Sequence, residues 1–309
     1  MQNPDYENMP YDDGIDIKEL FFALWDRKFI IISITTVFAI SSVFIALSLP
    51  NIYSSKALLS PSGQQDSLSS TLGSFSGLAG MAGISLPGDA GDPSQEAMSR
   101  IRSLEFFSKH IKPNINLENL IAVKEWKPNG NKLVYDDKIY DSENNKWVRK
   151  VRYPKSTIPS DQEAYNVYKR IISISEDRKT KFVALSVEHK SPYIAKKWVD
   201  LIIKSINESM REEDKNLAIK SIEFLNESSS KTNLNDIKEA MSELLEKQIQ
   251  NLMFASANEF YVYKIIDSPV VPELKSKPNR ALFCIVGTLL GGILSVIIAL
   301  IMFYVKKES

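Results

Sequence analysis

Residues Phe29–Leu49 read FIIISITTVFAISSVFIALSL, and residues Ala281–Val305 read ALFCIVGTLLGGILSVIIALIMFYV. Neither stretch carries a charge, and at 21 and 25 residues each reaches the roughly 20 apolar residues that a helix needs to cross a bilayer's hydrocarbon core. Working outward, 1–28 is expected as a first tail, 29–49 as the first membrane helix, 50–280 as an enclosed polar domain, 281–305 as the second membrane helix, and 306–309 as a second tail. Two crossings leave both tails on one side. A cleaved signal peptide is the weaker reading of the first stretch: such peptides have a basic start and an apolar core of about 7–15 residues, whereas residues 1–28 hold seven acids and three bases. Lys18, Arg27 and Lys28 before the first helix, against Lys56 alone soon after it, put the N-terminus in the cytoplasm and the domain outside.

Composition excludes several classes of function. Lysine plus arginine equals aspartate plus glutamate at 38 each, so nothing in the charge balance points to nucleic acid. The single cysteine, Cys284, lies within the second apolar stretch, so no intrachain disulfide forms. His110 and His189 are the only histidines, and a zinc site in the domain would have to lean on carboxylates. No phosphate-cradling GxxxxGK[ST], no HExxH and no GxSxG occurs. Asp136-Asp137 and Glu212-Glu213-Asp214 lie in charged surroundings and read as solvated faces. No catalytic residue, cofactor or metal is expected.

Inside the domain the periodicities alternate between strand and helix. IDIKELFFALWDRK, residues 15–28, places Ile17, Leu20, Phe21, Leu24 and Trp25 on one face, as an interfacial helix or as a downward extension of the membrane helix. Ile52–Leu59 reads as a strand, and 60–93, rich in Gly, Ser and Pro, as a long loop. Ser94–Ile111 has helical spacing up to Pro113. KLVYDDKIYD and KWVRKV are short strand candidates joined around 142–145. Ile171–Ser175 and Phe182–Glu188 alternate as a hairpin about EDRKTK, and Phe260–Ile266 is a last strand. Tyr135, Tyr140, Trp147 and Tyr153 are placed half-buried on strands, with stacking on sugar rings as the alternative.

The largest helical signal runs over about 191–226, with Val199, Ile202, Ile206, Met210, Leu217 and Leu225 on one side, and a second over about 233–256. At 1.5 Å per residue the first is ~54 Å long. A helix of that length leans on its partner or on another copy of the chain, so the domain is expected to be elongated and to oligomerise. The alternative is a helix broken at Arg211–Lys215.

The approach to the second apolar stretch is DSPVVPELKSKPNRALFCIVGTLLGG. Pro269, Pro272 and Pro278 forbid helix until the membrane is reached and predict a stiff extended stalk. Gly287 and Gly291 form GxxxG, a surface for close helix approach. With the tail IDIKELFFALWDRKFIII and the stretch NIYSSKALLSP, this combination resembles the Wzz chain-length determinants, polysaccharide co-polymerases of Gram-negative inner membranes. Ser276-Lys277-Pro278 departs from the Ser-Pro-Lys common in that signature by one position, which an extended stalk tolerates.

The resemblance implies an α+β membrane protein. Two transmembrane helices would flank an elongated periplasmic α/β domain with a small mixed sheet and a long protruding helix. It implies cytoplasmic termini, a homo-oligomeric ring, and a non-enzymatic role in setting the modal length of a lipid-linked polysaccharide such as O-antigen, with a Wzy-type polymerase as partner. Pro269, Pro272, Pro278, Gly287 and Gly291 are then the residues expected to couple the chain to the polymerase or to neighbouring subunits. Relatives with a cytoplasmic kinase carry it after the second helix, where this sequence has only 306–309. The alternatives are an accessory subunit of a capsule or exopolysaccharide exporter, and a two-span protein that binds or tethers a periplasmic ligand.

Overall fold

The computed structural model describes residues 24–62, 92–232 and 234–308. The expected helix over 15–28 and the Gly/Ser-rich loop therefore fall largely outside the described residues. The chain folds as two units, Met1–Pro50 with Pro278–Ser309, and Asn51–Lys277.

The first unit contains helix α1, Lys28–Ser48. The second runs β1 (Tyr53–Pro61), α2 (Pro93–Ile101), α3 (Leu117–Ile121), β2 (Val123–Lys127), β3 (Lys132–Tyr135), β4 (Tyr140–Asp141), β5 (Lys146–Trp147), α4 (Asp161–Ile171), β6 (Ile172–Glu176), β7 (Val183–His189), α5 (Pro192–Lys231), α6 (Asn235–Ala257) and β8 (Tyr263–Asp267). Helix α7, Arg280–Glu308, returns to the first unit.

The main sheet has the order β6-β7-β1-β8. All three of its pairings are antiparallel, which corrects the mixed sheet expected from the sequence. Register explains its buried face: Ser55 faces Val187, Ala57 faces Leu185, and Leu59 faces Val183, and all six are buried. Alternation with a period of two places such a set on one side of the pleat. The β6–β7 turn follows EDRKTK as expected, because the Asp177 carboxylate accepts from Lys179 N–H (2.7 Å) and Thr180 N–H (3.2 Å) while Lys181 takes a positive φ of 61°. The last strand begins at Tyr263, three residues later than expected.

Helices cover the buried face. α2 starts on Asp92, whose side chain accepts from Ser94 N–H, with Pro93 in the first turn. It ends at Ile101 rather than continuing to Pro113: a helical turn at Leu104–Phe106 and a π turn at Phe107–Ile111 follow, and Pro113 lies within the 3₁₀ turn Lys112–Asn114. Ala97, Ile101, Phe107, Val199, Ile202 and Ile206 meet the sheet in one core. Burying each large aliphatic or aromatic side chain there contributes ~1.5–3 kcal/mol. Two buried tyrosines tie α2 at both ends, Tyr263 OH donating to Ser94 O (2.7 Å) and Tyr168 OH to Ile101 O (3.0 Å). Burial pushes the Tyr263 hydroxyl up to about 12.

Helix α5 spans 40 residues, about 60 Å at 1.5 Å per residue, without a break at Arg211–Lys215. It is five residues longer at its C-terminal end than the sequence pattern predicts. Charges at 211–215 do not interrupt it because they are paired: Glu213 bonds Arg100, Lys215 reaches Glu212, and the Asp214 carboxylate accepts from Tyr261 OH at 2.6 Å. Desolvation raises the Asp214 carboxyl above its ordinary range.

Strand candidates between α3 and α4 resolve differently. Lys132–Tyr135 pairs with Val123–Lys127, and only Tyr140–Asp141 and Lys146–Trp147 form the hairpin around 142–145. Tyr140 is buried and Tyr135 and Trp147 are half-buried, but Tyr153 is 98% exposed and outside any strand.

Candidate functional site

The residues expected to couple the chain to partners divide between the two units. Within the domain, the segment after β8 is extended, as its prolines require, yet it is not a free stalk. It lies along the start of β1. Ser55 Oγ donates to Val270 O (2.8 Å), and Pro269 beside it is buried. Ser276 donates to Ile52 O through both its backbone N–H (2.8 Å) and its hydroxyl (3.0 Å), and Ile52 N–H donates to Lys277 O (3.0 Å). Lys277 Nζ pairs with Glu188 at 2.8 Å. Proline supplies no N–H, so an edge segment built this way docks through its serines and carbonyls. Pro272 is half-buried in this arrangement. The entering and leaving strands of the domain are thereby held side by side at Ile52 and Lys277.

His189 closes the neighbouring end of β7. Its Nδ1 accepts from Ser191 N–H and its Nε2 lies 2.9 Å from Asn119 O, a pairing that fixes the neutral ring with the proton on Nε2. Burial lowers its pKa to about 4. Ser191 precedes α5 but caps it with no side-chain bond; Pro192 occupies the first turn.

In the other unit, Pro278 is half-buried and precedes α7. α1 and α7 pack antiparallel. A Cβ on Gly287 would stand 2.4 Å from Ser42 Cβ, and one on Gly291 would stand 2.4 Å from Phe38 Cβ. The contact continues at Thr35 Oγ1 and Ser295 Oγ, 3.3 Å apart. Arg280 Nε donates to Ala46 O (3.1 Å) and an Arg27 guanidinium N–H to Met302 O (3.0 Å), one bond toward each end of the pair. Small residues four apart allow this approach. The GxxxG face is thus filled by the chain's own first helix, so neither glycine is free to meet another molecule along that contact. Lys28–Ser48 and Arg280–Phe303, with mean hydropathies of 2.5 and 2.7, are only 11% and 17% buried along their most apolar stretches among the described residues. Such outward apolar surface suits lipid and not water.

Residues 13–122 match the family model described as Wzz, chain length determinant protein. The Wzz match takes in α1, β1, α2 and α3; the exit segment and α7 lie beyond it. No curated protein matches the chain. Among solved structures, a full-length bacterial polysaccharide co-polymerase is 13% identical, covering 94% of this chain and 99% of its own, with a TM-score of 0.41. A fragment of WzzB, a polysaccharide co-polymerase from Salmonella Typhimurium, is 13% identical, covering 74% of this chain and 100% of its own, with a TM-score of 0.28.

Two features of the site were not anticipated from sequence. Asn207 is 3% exposed in the middle of the apolar face of α5. Its Oδ1 accepts from Val262 N–H (2.8 Å) and Tyr263 N–H (3.0 Å), and its Nδ2 donates to Ile203 O (3.0 Å) and Tyr263 O (3.2 Å). It fixes where β8 begins, and hence where the exit segment starts. The readable signal is one amide between Ile206 and Met210 in an otherwise apolar stripe. On α1, Phe38, Ser42 and Ala46 recur every four residues, which is the partner stripe for Gly287 and Gly291.

Proposed function

We propose that this chain regulates the modal chain length of a cell-surface polysaccharide, without catalysing bond formation itself. The observation that carries this reading is the chain length determinant match over residues 13–122. The glycan is a lipid-linked one of the O-antigen kind, and a Wzy-type polymerase elongates it. The domain faces the periplasm, both termini are cytoplasmic, and several copies form a ring in the inner membrane. The lysine and arginine bias around the first helix supports that orientation.

In this reading the five coupling residues have different tasks. Pro269, Pro272 and Pro278 keep the exit segment extended and aligned with β1. Gly287 and Gly291 close α7 on α1, so their part in coupling runs through the shape of the helix pair rather than through direct contact. Association between copies uses the outer half of α5 and α6, where Leu217, Phe224, Leu234 and Leu244 are exposed apolar side chains. Deleting the gene should turn a length-clustered glycan ladder on a gel into an unclustered one, restored by the intact gene on a plasmid. An unchanged ladder would sink the proposal for that glycan.

A further inference from the structure

Three aromatic side chains meet at a place that neither the core nor the proposed function uses. Tyr53 opens β1, Trp126 lies on β2, and Tyr193 is in the first turn of α5. The Tyr53 and Trp126 rings meet edge to face with centroids 5.5 Å apart, and the Tyr193 ring stands 6.2 Å from that of Trp126. None of the three belongs to the buried core cluster. Tyr193 is 50% exposed, and the other two are half-buried. The indole N–H of Trp126 donates to Asn131 Oδ1 (2.7 Å) across the β2–β3 turn, which holds the ring in place and leaves apolar surface as what it presents. Lys124, Lys127 and Lys132 are exposed on the same two strands, with Glu125 as their one acid.

Covalent connection limits how far this cluster stands from a bilayer. Tyr53 is the fifth residue after Ser48, where the first apolar helix ends. At no more than ~3.6 Å per residue, its Cα lies within ~18 Å of that helix end. On the exit side Lys277, bonded to Ile52, is three residues before Arg280, where the second apolar helix begins. Both chain connections therefore leave the domain next to Tyr53.

We infer that Tyr53, Trp126 and Tyr193 form an interfacial anchor that rests among lipid headgroups, with Lys124, Lys127 and Lys132 beside the phosphates. Tryptophan and tyrosine combine an apolar ring with one polar atom and concentrate at membrane–water boundaries. Lysine ammonium groups pair with phosphate oxygens through charge-assisted hydrogen bonds. The anchor depends on α1 and α7 crossing a bilayer and not on the glycan, so a glycan ladder tests the proposed function and leaves the anchor to be judged separately.

The test uses the full chain in nanodiscs of phosphatidylethanolamine and phosphatidylglycerol, doped with lipid carrying a nitroxide either on the headgroup or deep in the acyl chain. Subtracting the emission of Trp126→Phe from that of the unaltered protein isolates Trp126. Headgroup nitroxide should quench this difference emission at least twofold more than the deep nitroxide, and iodide in the buffer should have little effect. Tyr193→Trp in the Trp126→Phe background supplies a second reporter from the same patch should that subtraction be too small to read. Emission that iodide quenches and neither nitroxide touches would overturn the anchor. So would emission that responds only to added oligosaccharide, which would make the three rings a sugar-stacking surface.

Discussion

The two halves of α5 are built on opposite terms. From Pro192 to Met210 the helix is part of the core: Val199, Ile202, Ile203 and Ile206 are buried against the sheet, and Asn207 spends every polar atom of its amide on hydrogen bonds. From Arg211 to Lys231 its main neighbour is α6. Leu217 and Phe224 are more than 60% exposed, Leu244 across from them is 51% exposed, and an open groove of about 360 Å³ runs between Phe224, Leu225 and Leu244. One half holds the fold, then, while the other carries apolar surface that the described residues do not cover. Surface of that kind is kept in water only where something else comes to cover it.

The sharpest way to break this contrast is at Asn207. Asn207→Leu leaves Val262 N–H, Tyr263 N–H and Tyr263 O without partners in the core, at ~1–3 kcal/mol for each unsatisfied group. Chemical denaturation should show a loss of about 4 kcal/mol, with the start of β8 losing amide protection. Next in size is acid. The folded His189 pKa of about 4 lies below the ordinary 6.5, so the unfolded chain binds a proton that the folded chain refuses. The His189 contribution is therefore complete above pH 6.5 and is lost as the pH falls toward 4, at ~1.4 kcal/mol per pH unit. Replacing His189 by Gln should flatten the denaturation midpoint across that window.

A smaller effect is expected in the membrane pair, which serves as a contrast to the loose pairing of α5 with α6. Gly291→Leu places a side chain where Phe38 Cβ already stands, and overpacking costs ~1–3 kcal/mol. Thr35→Cys with Ser295→Cys should cross-link readily in the otherwise unaltered chain and poorly once Gly291 is leucine. The smallest stability effect belongs to the outer half of α5: Phe224→Ser should move the midpoint by less than ~0.5 kcal/mol.

Much of this layout was legible in the sequence, and the failures have physical causes. Both long apolar helices follow from charge-free runs of bilayer length, and β1, the β6–β7 hairpin and the two long domain helices from periods of two and 3.6. α4 was missed although Ser160 and Glu163 form a reciprocal capping box and Ala164, Val167, Tyr168 and Ile171 recur at helical spacing, because the signal spans only 11 residues. The sheet's antiparallel order depends on which distant strands meet, and no local pattern encodes that. Gly287 and Gly291 were read as an outward contact; only placing Phe38 and Ser42 opposite them shows that the chain fills the site itself. The Tyr53, Trp126 and Tyr193 cluster joins three elements far apart in sequence and left no signal to read.

The central claim is that the exposed outer half of the helix pair serves chain-length control while the inner half serves the fold. The most direct test is the glycan ladder of cells whose only copy of the gene carries Phe224→Ser and Leu244→Ser together, with the purified protein's melting point measured alongside. The account predicts a shifted or lost modal length at an unchanged melting point. A normal ladder from that variant would contradict it.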